Sequence, residues 1–270
     1  KKTLNPFKYQ YAKVLSNKPF FVLFTSGTTG VPKGIIHSTG GYLVYTKYTC
    51  INQFGMNKNT VMLTASDAGW MNGHTYALYG PLLMGAKTVL LEKPMSLINE
   101  TLFKKILLNE KVSILYLPVT LIRLMRSLDK KISIKSKYIK TLGSMGEPLS
   151  KHIGIWFSKK FSFKSLQIVN AYYQTENSAI MASPKFNDDI KKVPFGTVGK
   201  QVNNILGIFL EKLTFNKYEI KIKNPWPGCM IGIINGKEQF KKYWDDKSNF
   251  RFFDYASLDK NKNFVIHGRL

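Results

Sequence analysis

The chain has 270 residues, of which 44% are hydrophobic, so it can bury a large core and is not expected to be disordered. Its formal net charge of +24 would suit a nucleic-acid partner, but almost all basic residues are scattered lysines, so no specific nucleic-acid recognition is predicted. Only Cys50 and Cys229 are present, and no apolar run reaches about 18 residues, so we predict no disulfide scaffold, no zinc site and no membrane span.

Short β-rich runs alternate with longer amphipathic stretches as far as about Tyr173. The predicted strands are Phe20–Phe24, Val61–Ala65, Thr88–Leu91, Ser113–Leu117, Ile139–Leu142 and Leu166–Val169. The predicted helices are Gly41–Gln53, His74–Met84, Ile98–Asn109, Val119–Leu128 and Lys151–Phe161. This alternation is typical of βαβ units, so we predict an α/β fold with a mainly parallel sheet and ligand-binding loops beyond the carboxyl ends of its strands.

The pattern changes at about Phe195, where the predicted strands become shorter. They are Ile205–Leu210, Tyr218–Lys223, Met230–Ile234 and Asn263–His267. Turn residues separate them, including Pro225 to Gly228 and Asn235-Gly236. We therefore predict two parts, an α/β portion over residues 1–194 and a smaller β-rich subdomain over residues 195–270.

The segment after the first predicted strand has the composition of a phosphate-binding loop. It consists of Thr25, Ser26, Gly27, Thr28, Thr29, Gly30, Val31, Pro32, Lys33 and Gly34. Its glycines let backbone amides approach an anion closely, while hydroxyls and one lysine add donors and positive charge. It is not a Walker A loop, because no Gly-Lys-Ser/Thr ends it and a proline precedes the lysine. We predict a nucleotide-phosphate site, with an ordinary surface turn as the alternative.

Further motifs follow this segment in order. They are His37 to Tyr42, Ser66 to Tyr76, Tyr79 to Leu82, Gly143 to Pro148, Tyr172 to Glu176, Trp226 to Gly228, Asp254, and Gly268-Arg269. Over nearly the whole chain, these motifs resemble the short-chain acyl-CoA synthetases of the adenylate-forming family, acetyl-CoA synthetases above all. The resemblance implies that a carboxylate and ATP give acyl-AMP and pyrophosphate, and that CoA then gives acyl-CoA and AMP.

The resemblance also implies which residues bind the ATP phosphates and Mg²⁺. The implied phosphate-binding residues are Thr25, Ser26, Gly27, Thr28, Thr29 and Gly30. Lys33 would supply positive charge, and Thr175 would lie near the α-phosphate. Glu176 would coordinate Mg²⁺, which prefers oxygen ligands. Lys33, Thr175 and Glu176 are therefore the implied catalytic residues, although outside this motif Glu176 would be interpreted as a surface carboxylate.

The adenosine part of the nucleotide is assigned by the same resemblance. The implied residues are Gly146, Glu147, Pro148, Asn170, Tyr172, Gln174, Asp254 and Arg269. The Gly-Glu-Pro segment would lie against the adenine face, with Asn170 and Tyr172 near the base. Asp254 and Arg269 would bind the ribose hydroxyls, which need both an acceptor and a donor.

The acyl pocket is implied to be lined by Met71, Asn72, Met145 and Tyr173. These side chains are bulky, which favours a short acid, so acetate is the predicted substrate. Methionine is adaptable and one methylene usually changes specificity by only about 1–3 kcal/mol, so propionate is the alternative. Apolar side chains at these positions could equally fill a core.

Several features keep a non-catalytic nucleotide-binding module open as an alternative. Phe253 and Tyr255 flank Asp254 where the family commonly has glycines, and Asn177 and Ser178 stand where it commonly has Thr-Gly. The family also has a C-terminal domain that brings a second lysine, so we expect the chain to be a central piece of an enzyme and to be inactive alone. Two unpaired cysteines indicate a reducing compartment such as the cytoplasm.

Overall fold

A computed structural model describes residues 12–25, 32–128, 134–215 and 217–270. These residues fold into strands and helices that we number in chain order. The strands are β1 (Pro19–Thr25), β2 (Lys33–Ser38), β3 (Val61–Thr64), β4 (Lys87–Val89), β5 (Ile114–Pro118), β6 (Thr141–Met145), β7 (Ile168–Asn170), β8 (Ala182–Ser183), β9 (Lys200–Gln201), β10 (Ile208–Thr214), β11 (Lys217–Ile222), β12 (Gly232–Ile233), β13 (Phe250–Leu258) and β14 (Phe264–Arg269).

Most of the helices lie between the strands of the first half of the chain. The α-helices are α1 (Thr39–Phe54), α2 (Met71–His74), α3 (Gly80–Leu83), α4 (Glu100–Asn109), α5 (Val119–Ser127), α6 (Lys151–Lys160) and α7 (Lys237–Lys241). The π-helical turn Thr75–Tyr79 joins α2 to α3, and 3₁₀ turns cover Pro94–Ile98, Thr175–Asn177 and Asn204–Leu206. No helix in the described part of the chain is both long enough and apolar enough to cross a membrane.

The centre of the fold is a parallel sheet with the strand order β4-β3-β5-β6-β7. Successive residues of β5 face opposite sides. Leu115 and Leu117 join a buried cluster with Phe103 of α4, whereas Tyr116 packs against Phe54 of α1 with ring centroids 5.0 Å apart. Because helices cover both faces, the central strand β5 has no charged residue and is buried from Ile114 to Leu117. The predicted α/β fold class is confirmed.

The first strand lies outside this parallel sheet. β1 pairs antiparallel with β2, with Thr25 opposite Lys33, and β12 adds to β2 through Ile233 opposite Ile35. The structure therefore differs from the βαβ unit expected at this point. The sequence pattern did not predict β2 because only two of its six residues, Ile35 and Ile36, are apolar side chains. As a result, the glycine-rich segment connects two neighbouring strands rather than a strand and a helix.

The strands β10, β11, β13 and β14 form an antiparallel sheet in that order. β13 was not predicted, because its buried face runs through Phe250, Phe252, Asp254 and Ala256, and the carboxylate breaks the apolar alternation. The predicted strand Met230–Ile234 is shorter than expected, and it pairs with β2 as β12 instead of joining this sheet. The division of the chain near residue 195 stays a prediction.

A buried ionic cluster stabilises the antiparallel sheet. The Lys221 ammonium lies 2.8 Å from Asp245 Oδ2 and also binds Glu211. Glu219 is fully buried beside it and accepts two hydrogen bonds from Arg251, at 2.9 and 3.1 Å. Because buried charges must be paired, each carboxylate of the cluster depends on these cations.

Candidate active site

The predicted nucleotide-binding segments begin where two neighbouring parallel strands end. β6 ends at Met145 and leads into Gly146 to Pro148, while β7 ends at Asn170 and leads into Tyr172 to Glu176. Since Ser144 of β6 pairs with Asn170 of β7, the two segments leave the sheet at the same edge. This carboxyl edge is where open α/β sheets bind ligands.

The loop after β6 is fixed to α5. Gly146 has a φ of +87°, in the region that favours glycine. The Glu147 carboxylate accepts a hydrogen bond from Arg123 at 2.7 Å, and the same guanidinium donates to the Pro148 carbonyl at 3.3 Å. Both members of this ion pair are exposed, so the loop presents its outer surface to solvent.

Asn170 is buried, and both of its amide groups have protein partners. Its oxygen accepts from the Ser144 hydroxyl at 3.0 Å, and its nitrogen donates to the Thr197 carbonyl at 2.8 Å. Asn170 therefore fastens the segment around residue 197 to the end of β7. Its predicted place near the base stays a prediction.

Three of the predicted nucleotide-binding residues contact a fourth, Asp254. Its Oδ2 accepts hydrogen bonds from the Tyr172 hydroxyl at 2.7 Å and from Gln174 Nε2 at 2.8 Å. Its Oδ1 lies 3.3 Å from Arg269 Nε. Burial raises the pKa of the Asp254 carboxyl, and these polar partners oppose that effect. The arrangement leaves Oδ1 and the largely exposed Arg269 as an acceptor and donor side by side.

Lys33 and Glu176 are linked by a residue that sequence reasoning missed. Tyr243 donates a hydrogen bond to Glu176 Oε1 at 2.5 Å and accepts one from Lys33 Nζ at 2.7 Å. Burial raises the pKa of Tyr243, and the Glu176 carboxylate raises it further, so the phenol keeps its proton. No sequence signal pointed to Tyr243, because it lies 67 residues after Glu176 and outside every motif.

His37 ties β2 to the Thr175–Asn177 turn. Its Nε2 donates to the Thr175 carbonyl at 2.8 Å. Burial lowers the pKa of His37 to about 4, so the ring is neutral at pH 7. A reciprocal capping interaction between Gln174 and Asn177 closes the same turn. The backbone that carries Thr175 and Glu176 is therefore fixed relative to the strand that carries Lys33.

Ser178 and Phe253, which lie near Glu176 and Asp254, have an unusual backbone geometry. Ser178 has a φ of +64° and Phe253 a φ of +57°, although neither is glycine. The Phe253 ring packs edge-on against Tyr243 with centroids 5.4 Å apart, and the Arg251 guanidinium lies 4.6 Å from its centre. Phe253 therefore adopts a left-handed backbone conformation although it is not glycine. The Phe253 side chain packs against Tyr243, which links Lys33 to Glu176.

Tyr173 contacts one of the other predicted acyl-pocket residues directly. Its hydroxyl donates to Asn72 Oδ1 at 2.6 Å. The Tyr173 ring also packs against two buried clusters, one containing Met71 and the other Met145. Met71, Asn72 and Met145 are all buried. A pocket formed by these four side chains, and its contact with an acid, stay predictions.

Part of the predicted phosphate site falls outside the described residues, namely Ser26, Gly27, Thr28, Thr29 and Gly30. Thr25 and Lys33 mark the described ends of this segment and face each other across the β1–β2 pair. Among the described residues, no group of three or more His, Cys, Asp or Glu side chains could hold a metal ion. Glu176 is buried, and Tyr243 is its only side-chain hydrogen-bond partner in the described part of the chain.

The sequence of the chain is similar to those of known proteins. The sequence profile of the AMP-binding enzymes matches residues 4–225. The acetyl-coenzyme A synthetase of Vibrio parahaemolyticus is 33% identical over 261 residues, which cover 93% of this chain and 40% of that protein. The acetyl-coenzyme A synthetase 1 of Debaryomyces hansenii is 34% identical over 269 residues, covering 95% of this chain and 40% of that protein.

A solved structure shows the same fold. The crystal structure of the anthranilate CoA ligase AuaEII in complex with anthranoyl-AMP superimposes with a TM-score of 0.81 at 17% identity, covering 97% of this chain and 49% of that one. The chain spans about 40% of the length of the curated relatives described above.

Proposed function

Because this chain belongs to the AMP-binding enzyme family, we propose that it forms the nucleotide- and acid-binding part of an AMP-forming ligase. The ligase converts acetate and ATP to acetyl-AMP and pyrophosphate, and then transfers the acetyl group to CoA with release of AMP. The similarity to acetyl-coenzyme A synthetases over nearly the whole chain supports acetate as the acid. Propionate is the alternative.

The observation that carries this proposal is that Tyr243 joins Lys33 of β2 to Glu176, which follows the carboxyl end of β7. Lys33 begins β2, directly after the glycine-rich segment, and is held beside the buried Glu176 carboxylate through Tyr243. Adenylation moves negative charge onto the departing pyrophosphate. A fixed cation next to a glycine-rich anion site stabilises that charge without having to reorganise during the reaction.

The polar groups of the site also fit Mg²⁺. This ion is usually held by one or two carboxylates together with waters and substrate phosphates, so the single buried carboxylate of Glu176 is an appropriate ligand. When bound, Mg²⁺ would neutralise phosphate charge. Glu176 would hold it through the carboxylate oxygen that Tyr243 does not occupy.

Asp254 and Arg269 suit the ribose of the nucleotide. Asp254 Oδ1 is free of Tyr172 and Gln174, which both bind Oδ2, and it lies 3.3 Å from Arg269. A carboxylate acceptor beside a guanidinium donor can bind two neighbouring hydroxyls. The bulky side chains around Tyr173 would leave room for a short acid only.

The two cysteines support a reducing compartment, and we place the protein in the cytoplasm. Cys50 is buried and Cys229 half-buried, and both are free thiols. Scattered lysines favour no specific nucleic-acid sequence, so the partners in this proposal are acetate, ATP and CoA.

Acid-dependent ATP–pyrophosphate exchange in the full-length protein tests the proposal. We expect the highest kcat/KM with acetate, a lower value with propionate and a much lower value with butyrate, because each methylene must fit among Met71, Met145 and Tyr173. Higher activity with butyrate would refute the pocket assignment. Absence of exchange with every acid would favour a non-catalytic nucleotide-binding module.

A further inference from the structure

Tyr243 joins two charged side chains that are distant in sequence. It is separated from Lys33 by 210 residues and from Glu176 by 67 residues, and its hydroxyl lies within 2.7 Å of Lys33 Nζ and 2.5 Å of Glu176 Oε1. Lys33 and Glu176 do not form a direct ion pair. The phenol therefore stands between them as a spacer.

The chemistry of the three groups fixes the direction of both hydrogen bonds. A lysine ammonium has donors only, and an ionised carboxylate has acceptors only. The single hydroxyl proton of Tyr243 must therefore point at Glu176, while its oxygen accepts from Lys33. This arrangement occupies Oε1 of Glu176 and leaves Oε2 available.

Packing holds the Tyr243 ring in the position that this geometry needs. The ring stacks on Phe250 with centroids 5.7 Å apart and an interplanar angle of 23°, and it meets Phe253 edge-on at 5.4 Å. The Lys33 ammonium lies 5.1 Å from the ring centre, close enough for a cation–π contact. Tyr243 is 6% exposed, so its hydroxyl has little freedom to turn away from Glu176.

We propose that Tyr243 is a positioning residue for the metal–nucleotide complex, an inference that rests on the proposed function. Its hydrogen bond to Oε1 holds the Glu176 carboxylate and would leave Oε2 for the metal, and it keeps Lys33 from pairing with that carboxylate. Tyr243 would act through Glu176 and Lys33 and not as a ligand itself. Groups that hold metal ligands in place typically contribute 10–100-fold to metal affinity or activity.

The substitution Tyr243→Phe tests this role, because it removes the hydroxyl and keeps the ring that packs against Phe250 and Phe253. In the full-length protein with saturating ATP, electron paramagnetic resonance measures the binding of Mn²⁺ as a substitute for Mg²⁺. We expect the dissociation constant to rise roughly 10-fold or more in Tyr243→Phe. Binding of ATP without metal should change much less. Tyr218→Phe, which removes a hydroxyl from β11, should bind Mn²⁺ as the wild type does.

A double-mutant comparison separates positioning from general damage. If Tyr243 acts through Glu176, then Tyr243→Phe should cause no further loss of Mn²⁺ affinity in a Glu176→Gln background. In ATP–pyrophosphate exchange, the KM for metal–ATP should rise more than kcat falls. Equal losses in both backgrounds would overturn the proposal, and so would unchanged Mn²⁺ affinity in Tyr243→Phe.

Two further outcomes are distinguishable. If the wild type binds neither ATP nor Mn²⁺–ATP, the proposed function and this inference fail together. If the wild type binds Mn²⁺–ATP and only the effect of Tyr243→Phe is absent, the proposed function stands and the inference fails.

Should Tyr243→Phe not fold, Phe253→Ala removes the ring that fixes Tyr243 but leaves the hydroxyl. It should weaken Mn²⁺ binding in the same direction, and unchanged binding would count against the inference.

Discussion

Ser178 shows at the scale of one residue how the chain keeps a strained turn without glycine. Its φ of +64° directly follows the turn that carries Glu176, and the Ala179 amide donates to the Asn177 carbonyl at 2.8 Å across it. A side chain with a Cβ in this region costs on the order of 1 kcal/mol. Its hydroxyl is buried without a partner in the described chain, so nothing visible offsets that cost.

We therefore expect Ser178→Gly to be more stable than Ser178→Ala by about 1 kcal/mol. Both variants lose the same unpartnered hydroxyl, and they differ in whether a Cβ remains in the left-handed region. Urea unfolding of the two variants measures the difference. Equal midpoints and slopes would show that the turn relaxes and stores no strain.

His37 makes the stability depend on pH. Its pKa is about 4 in the folded protein and about 6.5 when unfolded, so the unfolded state binds more protons between these values. The contribution of His37 to the free energy of unfolding is fully present above about pH 6.5. It is lost as the pH falls towards 4, at up to about 1.4 kcal/mol per pH unit.

Replacing His37 with Gln keeps an amide donor for the Thr175 carbonyl but removes the titration. We expect the free energy of unfolding of His37→Gln to fall less steeply than that of the wild type between pH 6.5 and 4. Chemical unfolding at a series of pH values gives both slopes. His267→Gln, at an exposed position of β14, should retain the wild-type slope, and parallel slopes for all three proteins would contradict the assignment to His37.

At the scale of elements, the antiparallel sheet depends on the cluster around Lys221. Lys221→Met would leave Asp245 and the fully buried Glu219 without one of their cations. Loss of one partner from a buried ion pair typically costs about 3–5 kcal/mol. Urea unfolding should show a loss of this order, whereas Lys223→Met, at the exposed position after β11, should change stability by less than about 0.5 kcal/mol. Similar free energies of unfolding for Lys221→Met and Lys223→Met would mean that solvent can replace Lys221 as the partner of these carboxylates.

The parts of the fold that could be predicted from sequence have a simple apolar period. The strands β3, β5 and β7 were predicted because they are short apolar runs, and the helices α1, α4 and α6 because their sequences are amphipathic. β2 was missed because it has only two apolar residues, Ile35 and Ile36, and β13 because the Asp254 carboxylate breaks its apolar alternation. Lys33 and Asp254 are also residues of the candidate site, so the pattern failed close to that site.

Local sequence patterns also identified only some residues of the candidate active site. Motif resemblance named Tyr172, Gln174, Asp254 and Arg269, and the structure brings them together. Tyr243 could not be found in this way, because its role depends on a tertiary contact with Glu176 and not on a local pattern.

At the scale of the whole molecule, three regions contribute side chains to the candidate site. The β1–β2 pair supplies Lys33, the edge of the parallel sheet supplies Glu176, and the antiparallel sheet supplies Asp254. His37 and Tyr243 connect these regions through hydrogen bonds. Damage to any one region is therefore expected to affect nucleotide binding as a whole.

Formation of acetyl-AMP tests the central claim most directly. The full-length protein is incubated with ATP, Mg²⁺ and radiolabelled acetate, and protein-bound acetyl-AMP is quantified without CoA. We expect acetyl-AMP in the wild type and in Glu238→Gln, an exposed carboxylate of α7, and a loss of 100-fold or more in Glu176→Gln, on the order expected when charge stabilisation is removed. Equal acetyl-AMP in all three proteins, or none in the wild type, would contradict the account.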